Sequence, residues 1–375
     1  MKRALFYSCL MLMPLAGHAQ LWEKARAFVD SHSKKANVDT LYIETPKEPW
    51  RISMDSYLSQ SDLLMKSTVE DNAMFSDVEG NLECHPRIRT DVSSSVGVRV
   101  GYKGLAVHYA HNITGDKGRD LSVSGSGTWY CAHVRLHEFK TKEPQVRYEG
   151  KLYLDDDAAP EWMSFTNKWM LSSPIKAKTV VADGYYIFNK RRFSYKAAYR
   201  QSVIQRRSAG SWLAGAMFYY SDFRYDNTAN AELLLYMNDV GRIKQWQANV
   251  GAGYGYNYVP AKGWLISAMA MPMVTVFNRV KSYHFDSNLR QLALDEEEHD
   301  IDELQPQDYR ISSMGSESMN SRISLNFNAR LSITYNWNRY FVNLNGQFYN
   351  FNYRHHGNRG RLNDWYANAS IGVRL

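Results

Sequence analysis

From Ile323 onward the chain alternates strictly. Ile323, Leu325, Phe327, Ala329, Leu331, Ile333, Tyr335 and Trp337 interleave with Ser324, Asn326, Asn328, Arg330, Ser332, Thr334 and Asn336, and Arg322 precedes them on the polar set. A period of two predicts a strand with one apolar and one polar face. Two other segments repeat the pattern. Trp246, Ala248, Val250, Ala252, Tyr254 and Tyr256 alternate with Gln247, Asn249, Gly251, Gly253 and Gly255. Near the C-terminus Trp365, Ala367, Ala369, Ile371, Val373 and Leu375 alternate with Tyr366, Asn368, Ser370, Gly372 and Arg374.

Reading the chain in order predicts a first strand over Trp50–Leu58. A hairpin follows, with Val96, Val98, Val100 and Tyr102 on one face, a turn at Lys103-Gly104, and Leu105, Val107 and Tyr109 continuing. Asp120–Phe139 reads as one long strand whose phase changes near Trp129, which predicts a bulge. Two runs flank a tight turn at Asn189-Lys190-Arg191, and Trp212–Phe223 is a further strand. Val259–Gly263 turns the chain into Trp264–Val280, and Asn338-Arg339 turns it into Tyr340–Tyr353. The expectation is an all-β chain of roughly twelve antiparallel strands with long polar loops. Gln20–Ala36 reads as a short helix and Asn37–Pro49 as irregular, so the lead-in spans residues 20–49 and the strands residues 50–375.

Strands of soluble proteins run to about five or six residues. These reach about ten or more and end in Trp and Tyr, as the wall of a transmembrane barrel requires. Such a wall must also close, because an open edge in hydrocarbon leaves backbone groups unpaired. Alternate strands counted back from a periplasmic C-terminus place the Lys281–Asn320 insertion outside. The same count puts the Lys140–Lys178 connection in the periplasm, where turns should be short. Either a strand pair lies hidden there, with QVRYEGKLYL the candidate, or the segment enters the lumen as a plug.

Composition agrees with a barrel. Aromatic residues make up 14% of the 375, including 26 Tyr and 10 Trp, and mean hydropathy is −0.49, which excludes a bundle of membrane helices. Lys2 and Arg3, the apolar Ala4–Leu15 and the small residues of Gly17-His18-Ala19 predict a signal peptide over residues 1–19, cleaved after Ala19. The expected location is the outer membrane, with its lipid and the barrel-assembly machinery as partners. A formal charge of +7 comes with no basic stripe or nucleic-acid motif. Cys84, expected in a loop, and Cys131 remain after cleavage, and their pairing is left open.

The signal segment together with YYIFNKRRFSYKAAYRQSVIQRRSAGSWLAGAMFY and GYGYNYVPAKGWLISAMAMP resembles the uncharacterised bacterial family of domain of unknown function 4421. That resemblance implies an outer-membrane barrel and carries no activity. The last strand resembles an outer-membrane insertion signal but ends in Leu375 where an aromatic is usual.

Candidate chemistry is sparse. Arg99, Lys196, Arg200, Arg322, Arg330 and Arg374 are expected to face the lumen. They suit either a small anionic solute or an internal salt-bridge network, and the network is preferred because a small barrel is filled by its own side chains. His133 and His137 share a strand face near Glu138, and His355-His356 lie in the last loop. Neither set reproduces the serine-histidine pattern of outer-membrane phospholipases. The acidic runs at Asp155–Asp157 and over residues 295–303 lack calcium-loop spacing and read as solvated loops. No metal or cofactor is expected. The function expected is a non-enzymatic outer-membrane barrel for passive transport, surface binding or envelope structure, with a lipid-modifying hydrolase as the alternative.

Overall fold

The computed structural model describes residues 38–69, 82–84, 87–115, 117–141, 145–152, 161–168, 174–224, 240–287, 311–320, 323–355 and 358–375. The signal segment, the Gln20–Ala36 helix, Arg322, His356 and both acidic runs lie outside them. So do the side chains of Cys84 and His355.

Twelve antiparallel wall strands close into a barrel. They are β1 (Trp50–Val69), β2 (Ser93–Tyr102), β3 (Leu105–Thr114), β4 (Lys117–Ser126), β5 (Tyr130–Thr141) and β6 (Ile175–Ile187), followed by β7 (Ala209–Arg224), β8 (Val240–Tyr258), β9 (Trp264–Ser287), β10 (Leu325–Trp337), β11 (Tyr340–His355) and β12 (Asn358–Arg374). Each pairs with its sequence neighbour, and β12 pairs with β1 from Arg374↔Arg51 to Arg359↔Lys66. Trp50 and Leu375 exchange both backbone hydrogen bonds at 3.0 Å, completing the seam. The end of the barrel that carries this seam is called here the near rim; the long connections rise from the far rim.

Burial inverts the arrangement of a soluble protein. On β10, Leu325 and Leu331 are 71% and 64% exposed, whereas Asn328 and Thr334 are wholly buried. Trp50, Trp129, Trp212, Tyr258, Trp264, Trp337 and Tyr340, all exposed, ring the near rim. Several pack together there, Trp264 on Tyr335 at 4.8 Å and Trp337 on Tyr340 at 5.9 Å between ring centroids. An apolar exterior bordered by aromatic rings is matched to hydrocarbon and its interface, not to water.

Two sequence expectations are corrected. The phase change near Trp129 is not a bulge in one strand. Ser126 begins a near-rim turn, with Gly127 N–H donating to Tyr130 O at 2.9 Å, and β4 and β5 pair as a hairpin. Residues 142–174 join the far-rim ends of β5 and β6, where Ile175 pairs with Thr141, because the run after Asn189-Lys190-Arg191 does not count as a wall strand. There the anticipated QVRYEGKLYL segment supplies Gln145–Leu152, which pairs with Glu161–Lys168 and extends the wall. It is not a plug.

The second correction concerns the run after Asn189-Lys190-Arg191, which is not a wall strand. Residues 188–208 connect β6 to β7 by folding into the barrel, where Tyr195–Tyr199 form a short helix, α1. Alternation of Phe193, Tyr195, Ala197 and Tyr199 mimics a strand, but Ala198 between them is fully buried as well, so burial does not alternate. The wall holds α1 in place. Ser194 Oγ caps its N-terminus by accepting from Ala197 N–H at 3.2 Å. Ser332 Oγ and Asn343 Nδ2 donate to the orphan carbonyl of Ala198 at 2.7 and 3.3 Å. Phe193 sits over Gly255, where a Cβ would come within 3.0 Å of its ring. Leu213, Leu265, Met269 and Met271 complete an apolar core inside the barrel.

The lead-in seals the same mouth. Ile43–Glu44 pairs antiparallel with Ile204–Gln205, and Asp39 N–H donates to Arg191 O at 2.9 Å. Cys131, at the near-rim start of β5, is a buried free thiol. Cys84 lies opposite Ser67 near the far end of β1, in a short strand rather than a loop. A disulfide needs Cα atoms within about 7 Å, so the register keeps the two apart.

Candidate functional site: the lumenal charge network and the near-rim pocket

Inward positions on the wall bring together charges far apart in sequence. Asp183, inward on β6, accepts from Arg330 Nη2 of β10 at 2.8 Å through one carboxylate oxygen. Its other oxygen faces Tyr349 OH and His133 Nδ1, both at 3.3 Å. The same guanidinium donates to Tyr185 OH at 3.1 Å and to Tyr195 OH of the plug. Arg330 thus ties β6, β10, β11 and α1 into one unit. Each of these side chains is nearly or wholly removed from solvent. A charge buried that deeply is tolerated only when paired and hydrogen-bonded.

Two further clusters lie beside it. Arg135 Nε donates to Asp120 at 2.5 Å, His137 Nδ1 lies 3.3 Å from the same carboxylate, and the guanidinium stacks over Tyr366 at 4.6 Å. Arg99 donates to Tyr57 OH at 2.7 Å and lies 3.7 Å from Asp55, whose carboxylate is 3.4 Å from His108 Nε2. Between the clusters remains a cavity of about 30 Å³, bordered by Tyr57, Arg99, Asp120, His133, Arg330 and Tyr366. A water needs about 10–15 Å³ measured in this way, so one or two waters fit and an organic solute does not.

The six basic residues singled out in the sequence separate into groups. Arg99 and Arg330 belong to the paired network. Arg374, wholly buried, donates to Gln201 O at 3.1 Å and to Asn336 Oδ1. Lys196 lies on α1 and Arg200 caps its C-terminus, so both reach the interior from the plug and not from a strand. Arg322 is outside the described residues.

Sequence reasoning missed Arg51, Arg135 and the carboxylates Asp55, Asp120 and Asp183. Their parity carried the signal: each sits on the polar set of its strand, two residues from another inward residue. Pairing a lone inward Asp with a lone inward Arg on a distant strand requires the closed register.

Near the seam the charge balance differs. A pocket of about 270 Å³ opens at the near rim between the lead-in, the β2–β3 and β4–β5 turns and α1. Arg51, Lys103, Lys196 and Lys47 border it, with Glu48 as the acidic member. Burial and the neighbouring Arg51 push the Lys196 ammonium down to about 8.

Of the histidines considered for catalysis, His133 and His137 are bound to aspartates. His108 lies between Asp55 and Tyr57, whose hydroxyl is 3.5 Å from Nδ1. A serine–histidine contact occurs elsewhere: Ser282 Oγ lies 3.0 Å from His284 Nε2, two residues apart on β9 towards the far rim. No group of three potential metal ligands is found among the described residues.

The family model described as domain of unknown function (DUF4421) matches residues 37–374. No curated protein matches the sequence. Among solved structures, the translocator domain of the autotransporter NalP from Neisseria meningitidis aligns over 96% of this chain and 96% of its own, at 8% identity and TM-score 0.31. The outer-membrane protease OmpT from Escherichia coli aligns over 90% of this chain and all of its own, at 7% identity and TM-score 0.31. An outer-membrane channel from Pseudomonas putida F1 aligns over 88% and 97%, at 10% identity and TM-score 0.28.

Proposed function

Since the chain belongs to the family of domain of unknown function 4421, whose description names no activity, we propose from its own geometry that it is a closed outer-membrane barrel serving envelope structure or surface binding, not solute passage. The observation that carries this reading is the plug. Residues 188–208 occupy the near-rim half of the lumen, and the charged clusters beside them leave a cavity of about 30 Å³. Passive transport, expected as one option from sequence, is disfavoured by a lumen filled in this way among the described residues. In this reading residues 1–19 are removed on export, the barrel-assembly machinery inserts the wall, and lipid is the partner of its exterior. The basic residues of the lumen then rigidify the barrel, since Arg99, Arg135 and Arg330 each meet a carboxylate.

Planar-bilayer recording tests the reading. The full mature chain should insert without stepwise conductance. Regular steps from the unaltered protein would overturn the closed state.

A lipid-modifying enzyme is the second reading, and the Ser282–His284 contact favours it. A serine activated by a histidine is the minimum for acyl transfer. Lipid release by the purified protein that disappears in Ser282→Ala would establish it; equal release by both chains, or none, would remove it.

A further inference from the structure

Inside the barrel the arginines of the three clusters meet aspartates. At the near rim they do not. Arg51, only 6% exposed, donates through Nη2 to Leu105 O at 3.4 Å, and its Nη1 has no partner. Arg200 Nε and Arg374 Nη1 are likewise buried without partners. Among the described residues no carboxylate lies within ion-pair distance of Arg51, Lys196, Arg200 or Arg374. The charges acting most strongly on Arg51 are those of Arg374, Arg200 and Arg99, all of its own sign.

A buried guanidinium nitrogen without an acceptor is costly, and the like charges of Arg374, Arg200 and Arg99 around Arg51 add to the cost. The fold nevertheless makes room for this arrangement. Gly101, beside Arg51 across the β1–β2 ladder, leaves the space the guanidinium fills, since a Cβ there would come within 2.5 Å of Nη2. Both Arg51 and Lys196 border the near-rim pocket of about 270 Å³, and Lys103 and Lys47 stand at its margin. The one acidic residue on its border, Glu48, lies 3.4 Å from Arg339.

We propose that this near-rim pocket is a binding site for a phosphate monoester, whose dianionic head is held by Arg51 and Lys196. Arg51, buried with Nη1 unpartnered, and the part-buried Lys196 bring two positive charges to the pocket, which one carboxylate does not balance. An Arg side chain offers a planar fork to phosphate oxygens, and Lys a movable point charge. The pocket is larger than a phosphate group, and Leu105, Val203, Tyr130 and Pro46 give it an apolar side for a short organic substituent. The head belongs either to a soluble monoester or to a lipid monoester of the phosphatidic acid type at the rim. The inference rests on the closed wall and the plug, not on whether the barrel conducts, so it stands or falls apart from the function proposed above.

The test is calorimetric titration of the full mature chain, in phosphate-free zwitterionic-free detergent, with glycerol 3-phosphate, inorganic phosphate and acetate. Glycerol 3-phosphate should bind at one site per chain, at least tenfold tighter than acetate. Arg51→Gln and Lys196→Gln should each weaken it at least tenfold. Lys196→Arg, which keeps the charge, should retain binding and thereby separate the charge effect from misfolding. Retained heat-modifiable migration on gels certifies each variant as folded. Absence of binding by the folded parent, equal affinity for acetate, or unchanged affinity in folded Arg51→Gln and Lys196→Gln chains would each overturn the proposal. Phosphatidic acid in nanodiscs identifies the source: competition with glycerol 3-phosphate assigns the head to a lipid, and its absence assigns it to a soluble ester.

Discussion

Arg330 illustrates what single residues do in this barrel. Its side chain reaches Asp183, Tyr185, Tyr195 and Tyr349 across the lumen, so cutting it to a neutral chain strands a buried carboxylate. Arg330→Met should destabilise the protein by about 3–5 kcal/mol in urea unfolding, whereas adding Asp183→Asn should recover part of the loss. A single variant that matches the parent would contradict the pairing. Lys196 is the opposite case, a part-buried cation with no carboxylate within ion-pair distance among the described residues. Its folded-state value is depressed to about 8 from an ordinary value near 10.5. The unfolded chain therefore binds more protons between those values, and stability from this group rises with pH across that window. Below pH 8 the full penalty is present, of the order of 3 kcal/mol. Arg51, Lys47, Lys103 and Glu48 border the same pocket, and all but Glu48 share its sign. Lys196→Met should thus raise stability at pH 7 in anion-free buffer and flatten the profile between pH 8 and 10.5. A variant less stable than the parent at pH 7 would refute the penalty. Residue parity was legible in sequence: Arg99, Arg330 and Arg374 were assigned inward from alternation alone. Their partners were not, because Asp183 of β6 meets Arg330 of β10 across the lumen only once the wall has curled round through β7, β8 and β9.

At the scale of elements, alternation exposed β8, β10 and β12 because their two faces differ at every position. It misread two places, for different physical reasons. Between β4 and β5 the reversal takes few residues, Gly127 and Thr128 among them, and Trp129 and Tyr130 keep the aromatic content of a strand end. A turn so short resembles a change of phase. In the plug, burial of Ala198 alongside Tyr195, Ala197 and Tyr199 replaced the alternation that distinguishes a wall strand. With five residues, α1 is too short to persist alone; Ser194, Ser332, Asn343 and Gln205 supply the hydrogen bonds that hold its segment. Replacing residues 190–206 by a short Gly-Ser turn should therefore leave the wall able to insert while opening the near mouth. Bilayer recordings of that variant should show stepwise conductance that the parent lacks. A silent variant, shown to be folded by heat-modifiable migration, would mean that the clusters of Asp120 and Asp183 close the lumen without the plug.

For the whole molecule, the decisive feature is the inversion of polarity between wall and lumen. The lipid-facing reading makes the cost of an exterior charge depend on depth. Leu331 lies midway along β10 between the aromatic rim at Trp337 and Leu325. Leu331→Arg should cost about 2–4 kcal/mol, with a smaller cost for an arginine at Leu325 nearer the strand end. The lumen side is no more permissive. Asn326 donates to Asn249 Oδ1 at 2.6 Å and Thr275 Oγ1 at 2.8 Å, so it occupies a packed network, not an aqueous channel. The most direct measurement is thiol labelling of adjacent positions in intact outer membranes, on a chain carrying Cys84→Ser and Cys131→Ala. Leu331→Cys should react with a lipid-soluble maleimide and resist a charged aqueous one, while Ser332→Cys, buried against the Ala198 carbonyl, should resist both. Aqueous labelling of equal extent at the two positions would contradict a lipid-facing wall, and aqueous labelling at 332 alone would contradict a closed lumen.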